Sequence, residues 1–271
     1  MSTVAHWLSQ ARQRGIERLD AQRVLCEVLA RPRAWLLAHE DAQSTPEEAH
    51  RLETLFDRLA GGEPLAYLLG FQEFHGLRLE VSPAVLVPRA DTETLVDWAL
   101  ELLHEVEAAT VLDMGTGSGA IALAIKSACP RAAVRALDAS AEALQVARAN
   151  AAQLGLAVDF VLSDWWDALP PSRYDLIVSN PPYIAGEDPH LAALQHEPLL
   201  ALTPGGDGLE GIRRIVAGAP GHLSPGGWLL FEHGHDQADF VTEFLKAAGF
   251  DAVGTRLDLA GHTRCTGGRW P

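Results

Sequence analysis

Residues 179–183 read Ser179-Asn180-Pro181-Pro182-Tyr183 and follow directly on the apolar run Tyr174–Val178. A carboxamide, two prolines and a phenol in succession suit one kind of chemistry. The Asn180 side-chain oxygen and the Pro181 backbone carbonyl can each accept a hydrogen from a planar amide or amino nitrogen. Such a nitrogen is a poor nucleophile, because its lone pair is delocalised into the adjoining π system. It attacks only when held in line with a strong electrophile, its hydrogens taken by fixed acceptors. Pro181 and Pro182 stiffen the backbone and turn that carbonyl away from regular pairing. Tyr183 offers a flat face on which a planar group can stack. Taken alone, the four residues could also simply end a strand and open a loop.

An electrophile needs a carrier, and an earlier segment suits one. Val111-Leu112-Asp113-Met114 runs straight into Gly115-Thr116-Gly117-Ser118-Gly119, then Ala120-Ile121-Ala122-Leu123. Glycines at this spacing allow a tight turn and let a ligand approach bare backbone at a helix N-terminus. The dinucleotide version of the loop is GxGxxG, whereas this one is GxGxG just after the acidic Asp113. A cofactor without phosphates does not need the same cradle. Asp138 ends the next apolar run, 19 positions beyond Gly119, where a carboxylate can bind both hydroxyls of a ribose. After the third run, Ser163-Asp164-Trp165-Trp166 offers an acceptor for an adenine amino group and an indole to pack on the ring; Trp166 is equally well a core residue. An ordinary tight turn beside a solvated aspartate is the competing reading. Together the loop, Asp138, Asp164, Trp165 and Asn180 point to an adenosine cofactor whose sulfonium donates a methyl group. S-adenosyl-L-methionine is that cofactor, S-adenosyl-L-homocysteine the product, and no metal is required.

These residues must be positioned by alternating strands and helices. The expected strands are Thr110–Met114, Ala133–Leu137, Phe160–Ser163, Tyr174–Val178 and Trp228–Phe231, with helices such as Ala120–Ala128 and Ala141–Leu154 between them. That alternation predicts an α/β, Rossmann-like catalytic domain with a mostly parallel sheet, its ligands beyond the carboxyl ends of the strands. Asp251 to Arg269 is expected to add antiparallel edge strands. The first 75 residues read as a small helical domain. Ser2 and Asp20 are candidate N-caps, the second for a helix over Ala21 to Ala30. Thr45-Pro46-Glu47-Glu48 reads as a capping box, and Gly61-Gly62 ends that helix. Phe71 to Val81 reads as a hairpin turning at Gly76, with a helix following from Asp91 to about Val106. The domains are accordingly 1–75 (helical, substrate-docking), 76–90 (hairpin linker) and 91–271 (catalytic), with the boundary near residues 75 to 85.

Composition narrows the function further. The 271 residues carry a formal net charge of −15, and Lys126 and Lys246 are the only lysines. Broad binding to a nucleic-acid duplex rests on Lys and Arg neutralising phosphates, so stable nucleic-acid binding is not expected. An acidic surface suits a basic protein partner. No signal peptide and no membrane-length apolar segment is evident, so a cytoplasmic protein is expected. Cys26, Cys129 and Cys265 are widely spaced and odd in number, which fits neither a disulfide framework nor a metal site. His233-x-His235 lacks a third ligand.

The chain resembles the HemK/PrmC-type methyltransferases over nearly its whole length. Matching segments include Gly15-Ile16-Glu17-Arg18-Leu19-Asp20-Ala21, Pro64-Leu65-Ala66-Tyr67, Val85-Leu86-Val87-Pro88-Arg89 with Asp91-Thr92-Glu93, Glu197-Pro198, Gly205-Gly206-Asp207-Gly208-Leu209 and Glu232-His233-Gly234. Ala90 stands where the family pattern has proline. The resemblance implies methylation of the side-chain amide N5 of the glutamine in the Gly-Gly-Gln loop of peptide chain release factors, in support of translation termination. It places the cofactor site on Gly115 to Gly119, Asp138 and Trp165, and the substrate site on Asn180, Pro181, Pro182 and Tyr183. It also implies that the helical domain docks the release factor; a monomer is expected. Arg89 and Glu93 either order the linker or line the mouth of the site. A glutamine methyltransferase of a ribosomal protein is the nearest alternative, then an amino-methyltransferase of DNA or rRNA bases. No target-recognition insert is evident for the latter, and a base would have to be flipped out of its stack. A binding module that keeps the cofactor without catalysis would not need Asn180 and Tyr183.

Overall fold

A computed structural model describes residues 2–271. The chain divides into two compact units, Met1–Phe71 and Gln72–Pro271. The first consists of helices α1 (Val4–Gln13), α2 (Arg18–Leu29), α3 (Arg33–Ala38), α4 (Pro46–Ala60) and α5 (Leu65–Leu69). Its core gathers Trp7, Leu25, Leu36, Leu52 and Phe56, all nearly inaccessible to water. Thr3, not Ser2, caps α1 by accepting from His6 N. Asp20 is no cap either. Helix α2 already begins at Arg18, and Asp20 sits in its first turn, where a carboxylate favours the positive end of the helix dipole. The capping box at Thr45 and Glu48 is complete. Gly62, at φ 87°, supplies the left-handed residue after α4.

The second unit opens with a hairpin, β1 (Phe71–Phe74) and β2 (Leu77–Glu80), turning on His75-Gly76. Both turn residues have positive φ, 47° and 75°, as a two-residue hairpin loop demands. A 3-10 turn over Ala90–Thr92 leads into α6 (Glu93–Leu103). The alternating part follows: β3 (Thr110–Met114), α7 (Ala120–Ala128), β4 (Ala133–Asp138), α8 (Ala141–Leu154), β5 (Asp159–Leu162) and β6 (Tyr174–Ser179). After a 3-10 segment come α9 (Leu199–Leu202), α10 (Glu210–His222), β7 (Leu223–Glu232), α11 (Ala238–Ala247), β8 (Asp251–Leu257) and β9 (Thr263–Arg269). None of the described helices is long and apolar enough to cross a membrane.

Seven strands form one sheet in the order β5-β4-β3-β6-β7-β9-β8. The five from β5 to β7 are parallel, and β9 and β8 add an antiparallel edge. Because side chains alternate along a strand, the sheet feeds two cores. Val111, Leu176, Val178 and Leu230 face α6 and α7, whereas Leu112, Met114, Ile177, Leu229 and Phe231 face α10 and α11. The chain leaves β3 towards β4 and β5, then returns to place β6 on the other flank of β3. This reversal opens a crevice beyond the carboxyl ends of β3 and β6. The glycine loop and the Asn-Pro-Pro-Tyr segment leave the sheet at that crevice.

Candidate active site

Beyond the strand ends lies a cleft of about 240 Å³. Its first wall is the turn after β3. Gly115 N and Thr116 N both donate to Leu137 O, at 2.9 and 2.8 Å, which folds the loop over the end of β4. Gly115, Gly117 and Gly119 have φ of 75°, 56° and 85°, which L side chains rarely adopt. Gly119 also needs the space: a Cβ there would lie 3.0 Å from Leu123 Cδ1 and 3.3 Å from Ala147 Cβ. Residues Gly115 to Ser118 line the cleft, while Gly119 and Asp113 support it from behind. Asp113 is fully buried and accepts from Thr116 Oγ1 at 2.6 Å and Ala122 N at 3.2 Å. Burial pushes its carboxyl up to about 7.

Asp138 lines the cleft at the end of β4. Each of its oxygens accepts one backbone N–H, from Gly117 and Ser140, both at 2.8 Å. Burial raises its pKa from the ordinary carboxylate value, and those amides oppose the shift. Two acceptor oxygens are thus held rigidly with lone pairs to spare. Trp165 stands across the cleft in a left-handed backbone conformation, φ 50°. Such a conformation costs about 1–2 kcal/mol outside glycine, and Ser163 holds it by donating its hydroxyl to Trp165 O at 2.8 Å. The indole lies against Gly115 and Gly211, within 3.7 and 3.3 Å of where their Cβ atoms would be. Asp164 also lines the cleft, but its carboxylate pairs with Arg214 at 3.1 Å. Trp166 turns away: its Nε1 donates to Arg214 O, and its ring stacks on His222 with centroids 4.7 Å apart.

The opposite wall carries Asn180 and Pro182. Ser179 Oγ donates to Met114 O at 2.7 Å, tying the end of β6 to that of β3 just before the tetrapeptide. Asn180 Nδ2 donates to Thr92 Oγ1 at 3.3 Å. Pro181 sits behind Asn180, with its Cβ 3.4 Å from where a Gly211 Cβ would be. Tyr183 is not among the lining residues. Its hydroxyl donates to Glu232 Oε1 at 3.4 Å, and its backbone carbonyl accepts from Gln237 Nε2 at 2.9 Å. Burial, with the Glu232 charge beside it, raises the phenol pKa well above its ordinary value. Arg89 lines the mouth and pairs with Glu197, which also accepts from Val87 N at 3.1 Å. Glu93 instead accepts from His75 N at 2.8 Å and so ties α6 to the hairpin turn.

Four supporting residues carried no role in the sequence reading. Thr92 lines the cleft and accepts from Asn180, the buried Glu232 accepts from Tyr183, and Glu197 holds Arg89. Asn150, in α8, is fully buried and donates to Ser118 O at 2.9 Å and Glu80 O at 3.0 Å, clamping the glycine loop to the hairpin. Thr92, Glu197 and Glu232 stand in segments that carry the family resemblance, which assigns them no role, and nothing local marks Asn150.

The lining chemistry discriminates among cofactors. Its charged residues are Asp138, Asp164 and Arg89, and both Arg89 and Asp164 are already paired. No free cation among the lining residues would neutralise a phosphate chain. A nucleoside with a positively charged substituent fits acids, bare backbone and an indole.

Comparison with known proteins agrees. Residues 92–237 match the family model described as methyltransferase small domain, and residues 3–70 match the PrmC N-terminal domain. The release factor glutamine methyltransferase of Bordetella pertussis is 51% identical over 257 residues, covering 94% of this chain and 95% of the relative. The protein of the same name from Xylella fastidiosa strain Temecula1 is 49% identical over 259 residues, covering 94% of each. In fold alone, a 16S rRNA methyltransferase of T. thermophilus, solved in complex with AdoMet and guanosine, aligns with a TM-score of 0.54 at 20% identity, over 74% of this chain and 50% of that one. The chain belongs to the release factor glutamine methyltransferase family.

Proposed function

We propose that this chain transfers a methyl group from S-adenosyl-L-methionine to the side-chain amide nitrogen of a glutamine in a peptide chain release factor. The observation that carries it is the convergence of Asp138, Trp165 and the glycine loop on one side of a single cleft with Asn180 on the other. When bound, the cofactor supplies an electrophilic methyl group on a sulfonium. Asp138 would accept from the ribose hydroxyls and Trp165 would pack on the adenine. The Gly115–Gly119 backbone would take the remainder of the cofactor against the helix N-terminus.

The chain's own part is positioning. Asn180 Oδ1 and the Pro181 carbonyl accept the two amide hydrogens, which fixes the nitrogen's plane and turns its lone pair toward the methyl group. Loss of a proton from the alkylated nitrogen completes the transfer. Tyr183 packs behind this pair, and Arg89 stands at the mouth beside the incoming loop. The glutamine of the Gly-Gly-Gln loop is the acceptor proposed, the N-terminal helical unit its docking platform, and the protein works in the cytoplasm as a monomer without metal.

The test incubates the full chain with labelled S-adenosyl-L-methionine and an unmodified release factor, and locates the label by mass spectrometry. Methyl on the loop glutamine is expected, absent when that glutamine is changed to alanine. Asn180→Ala should lower kcat by about 100-fold or more, the scale of losing one fixed hydrogen-bonding group at a reacting centre. Label on another protein or on rRNA would overturn the substrate.

A further inference from the structure

Leu199 and Leu200 open α9, and each is 64% exposed. A leucine exposed singly needs no account, but adjacent ones at the rim of a cleft do. Leu200 itself lines the cleft, as do Pro198 and Ala201 beside it and Leu86 and Pro88 from the segment before α6.

These leucines are not exposed for want of anchorage. Leu202, in the same turn, is buried, and its carbonyl accepts from Ile184 N at 3.0 Å, one residue beyond the Asn-Pro-Pro-Tyr segment. Glu197, just before α9, is also buried; it accepts from Val87 N at 3.1 Å and pairs with Arg89. The short helix is thus tied to the acceptor segment at one end and to residues 87–89 at the other. It holds two apolar side chains out to water in a fixed arrangement. Surface ordered in advance costs less entropy when a partner settles on it.

The place of the reaction decides what settles there. Asn180 lies in the wall of the same cleft as Leu200. The amide of a glutamine stands only about 5 Å from its own backbone, four bonds of about 1.5 Å in zigzag. A chain that brings this amide to Asn180 must therefore lay its backbone over the rim. Arg89 at the mouth is already committed to Glu197, so what α9 adds there is apolar contact. A charged side chain laid on the two leucines would lose water and gain no partner.

We infer that Leu199 and Leu200 are the docking surface for the uncharged part of the release-factor loop that flanks the acceptor glutamine. They set the affinity for the protein substrate and take no part in the transfer itself. This rests on the function proposed above.

The experiment compares the full wild-type chain with the double variant Leu199→Ser, Leu200→Ser on an unmodified release factor. Both positions are exposed, so the melting temperature should change by no more than about 2 °C. KM for the release factor should rise by about 10-fold or more, from lost apolar contact. Calorimetric affinity for the release factor, measured with S-adenosyl-L-homocysteine present, should fall to match. Affinity for S-adenosyl-L-methionine and kcat at saturation should stay within about 2-fold. Methionine at both positions keeps the apolar area and should restore KM. An unchanged KM and affinity for the release factor overturn the inference. So does a loss of cofactor affinity, which would assign the leucines to the cofactor. A wild-type dimer that the serine variant dissociates in sedimentation overturns it too, by assigning them to a second copy. Failure of the wild-type chain to label the release factor at all would instead remove the function beneath it, so the two failures are distinguishable.

Discussion

Gly208 lies outside the cleft, yet replacing it should impair catalysis by way of Tyr183. At φ 79°, a Cβ on residue 208 would lie 3.0 Å from the Tyr183 carbonyl carbon and 3.1 Å from Ala185 N, with the Tyr183 oxygen nearer still. Non-bonded carbons are comfortable at about 3.5–4.0 Å, so Gly208→Ala must push the Tyr183 peptide by at least about 0.5 Å. That peptide follows Pro182 in the tetrapeptide and is pinned on its other side by Gln237 Nε2. Two costs combine: about 1–2 kcal/mol for a left-handed non-glycine residue and about 1–3 kcal/mol for overpacking. A total of roughly 2–5 kcal/mol corresponds to a melting temperature lower by about 5–15 °C. A displacement near 1 Å beside a reacting centre costs about 100-fold, so half of that should lower kcat by about 10-fold. Gly205 separates the two effects. It has φ 80° and nothing within 4 Å of its Cβ position, so Gly205→Ala carries the conformational cost without the push. Melting curves and methyl-transfer kinetics at saturating cofactor should show both variants destabilised and only Gly208→Ala slowed. Equal kcat in the two variants would refute the claim that Gly208 serves the approach of Tyr183 and not merely its own backbone conformation.

Asp138→Asn should weaken S-adenosyl-L-methionine binding by about 10–100-fold, the worth of a hydrogen bond to a charged acceptor, read by calorimetry, with kcat at saturation little changed. An unchanged affinity would remove Asp138 from the cofactor site. Asp113 tests the pH dependence of folding: its carboxyl, near 7 in the fold and near 4 when unfolded, is favoured by folding in its protonated form. Its contribution is therefore fully present below about pH 4 and lost as pH rises to about 7. Asp113→Asn should flatten the fall in stability across that window in denaturant titrations, and an unaltered slope would show that Asp113 is not held neutral by burial.

The elements were legible because their periodicity is local. The parallel strands contain short apolar runs, α7 begins at a glycine and α8 at a serine cap, and residues 120–128 and 141–154 form helices with the expected limits. The glycine loop was legible for the same reason, as five consecutive residues between a strand and a helix. What escaped is what depends on distant partners. Asp164 reads as an acceptor for adenine because it adjoins Trp165, and its pairing with Arg214, 50 residues on, is visible only in the fold. Tyr183 reads as a stacking face in the sequence, and its hydroxyl's bond to Glu232, 49 residues on, is visible only in the fold. Thr92 meets Asn180 across 88 residues, and Asn150 reaches Ser118 and Glu80 across 32 and 70. None of these is an unusual residue where it stands in the sequence. A further rule would have found one of them. In a doubly wound sheet, chemistry gathers at the carboxyl ends of strands; β4 ends in Asp138, and β6 ends in Ser179 just before Asn180. Leu229-Leu230-Phe231-Glu232 ends β7 in the same way, and Phe231 pairs with Ser179 in the neighbouring strand. An acid that closes an apolar strand end one position beyond that pairing lies level with Asn180, the first residue after β6. Its position in the strand order, more than its residue type, identifies it as part of the site.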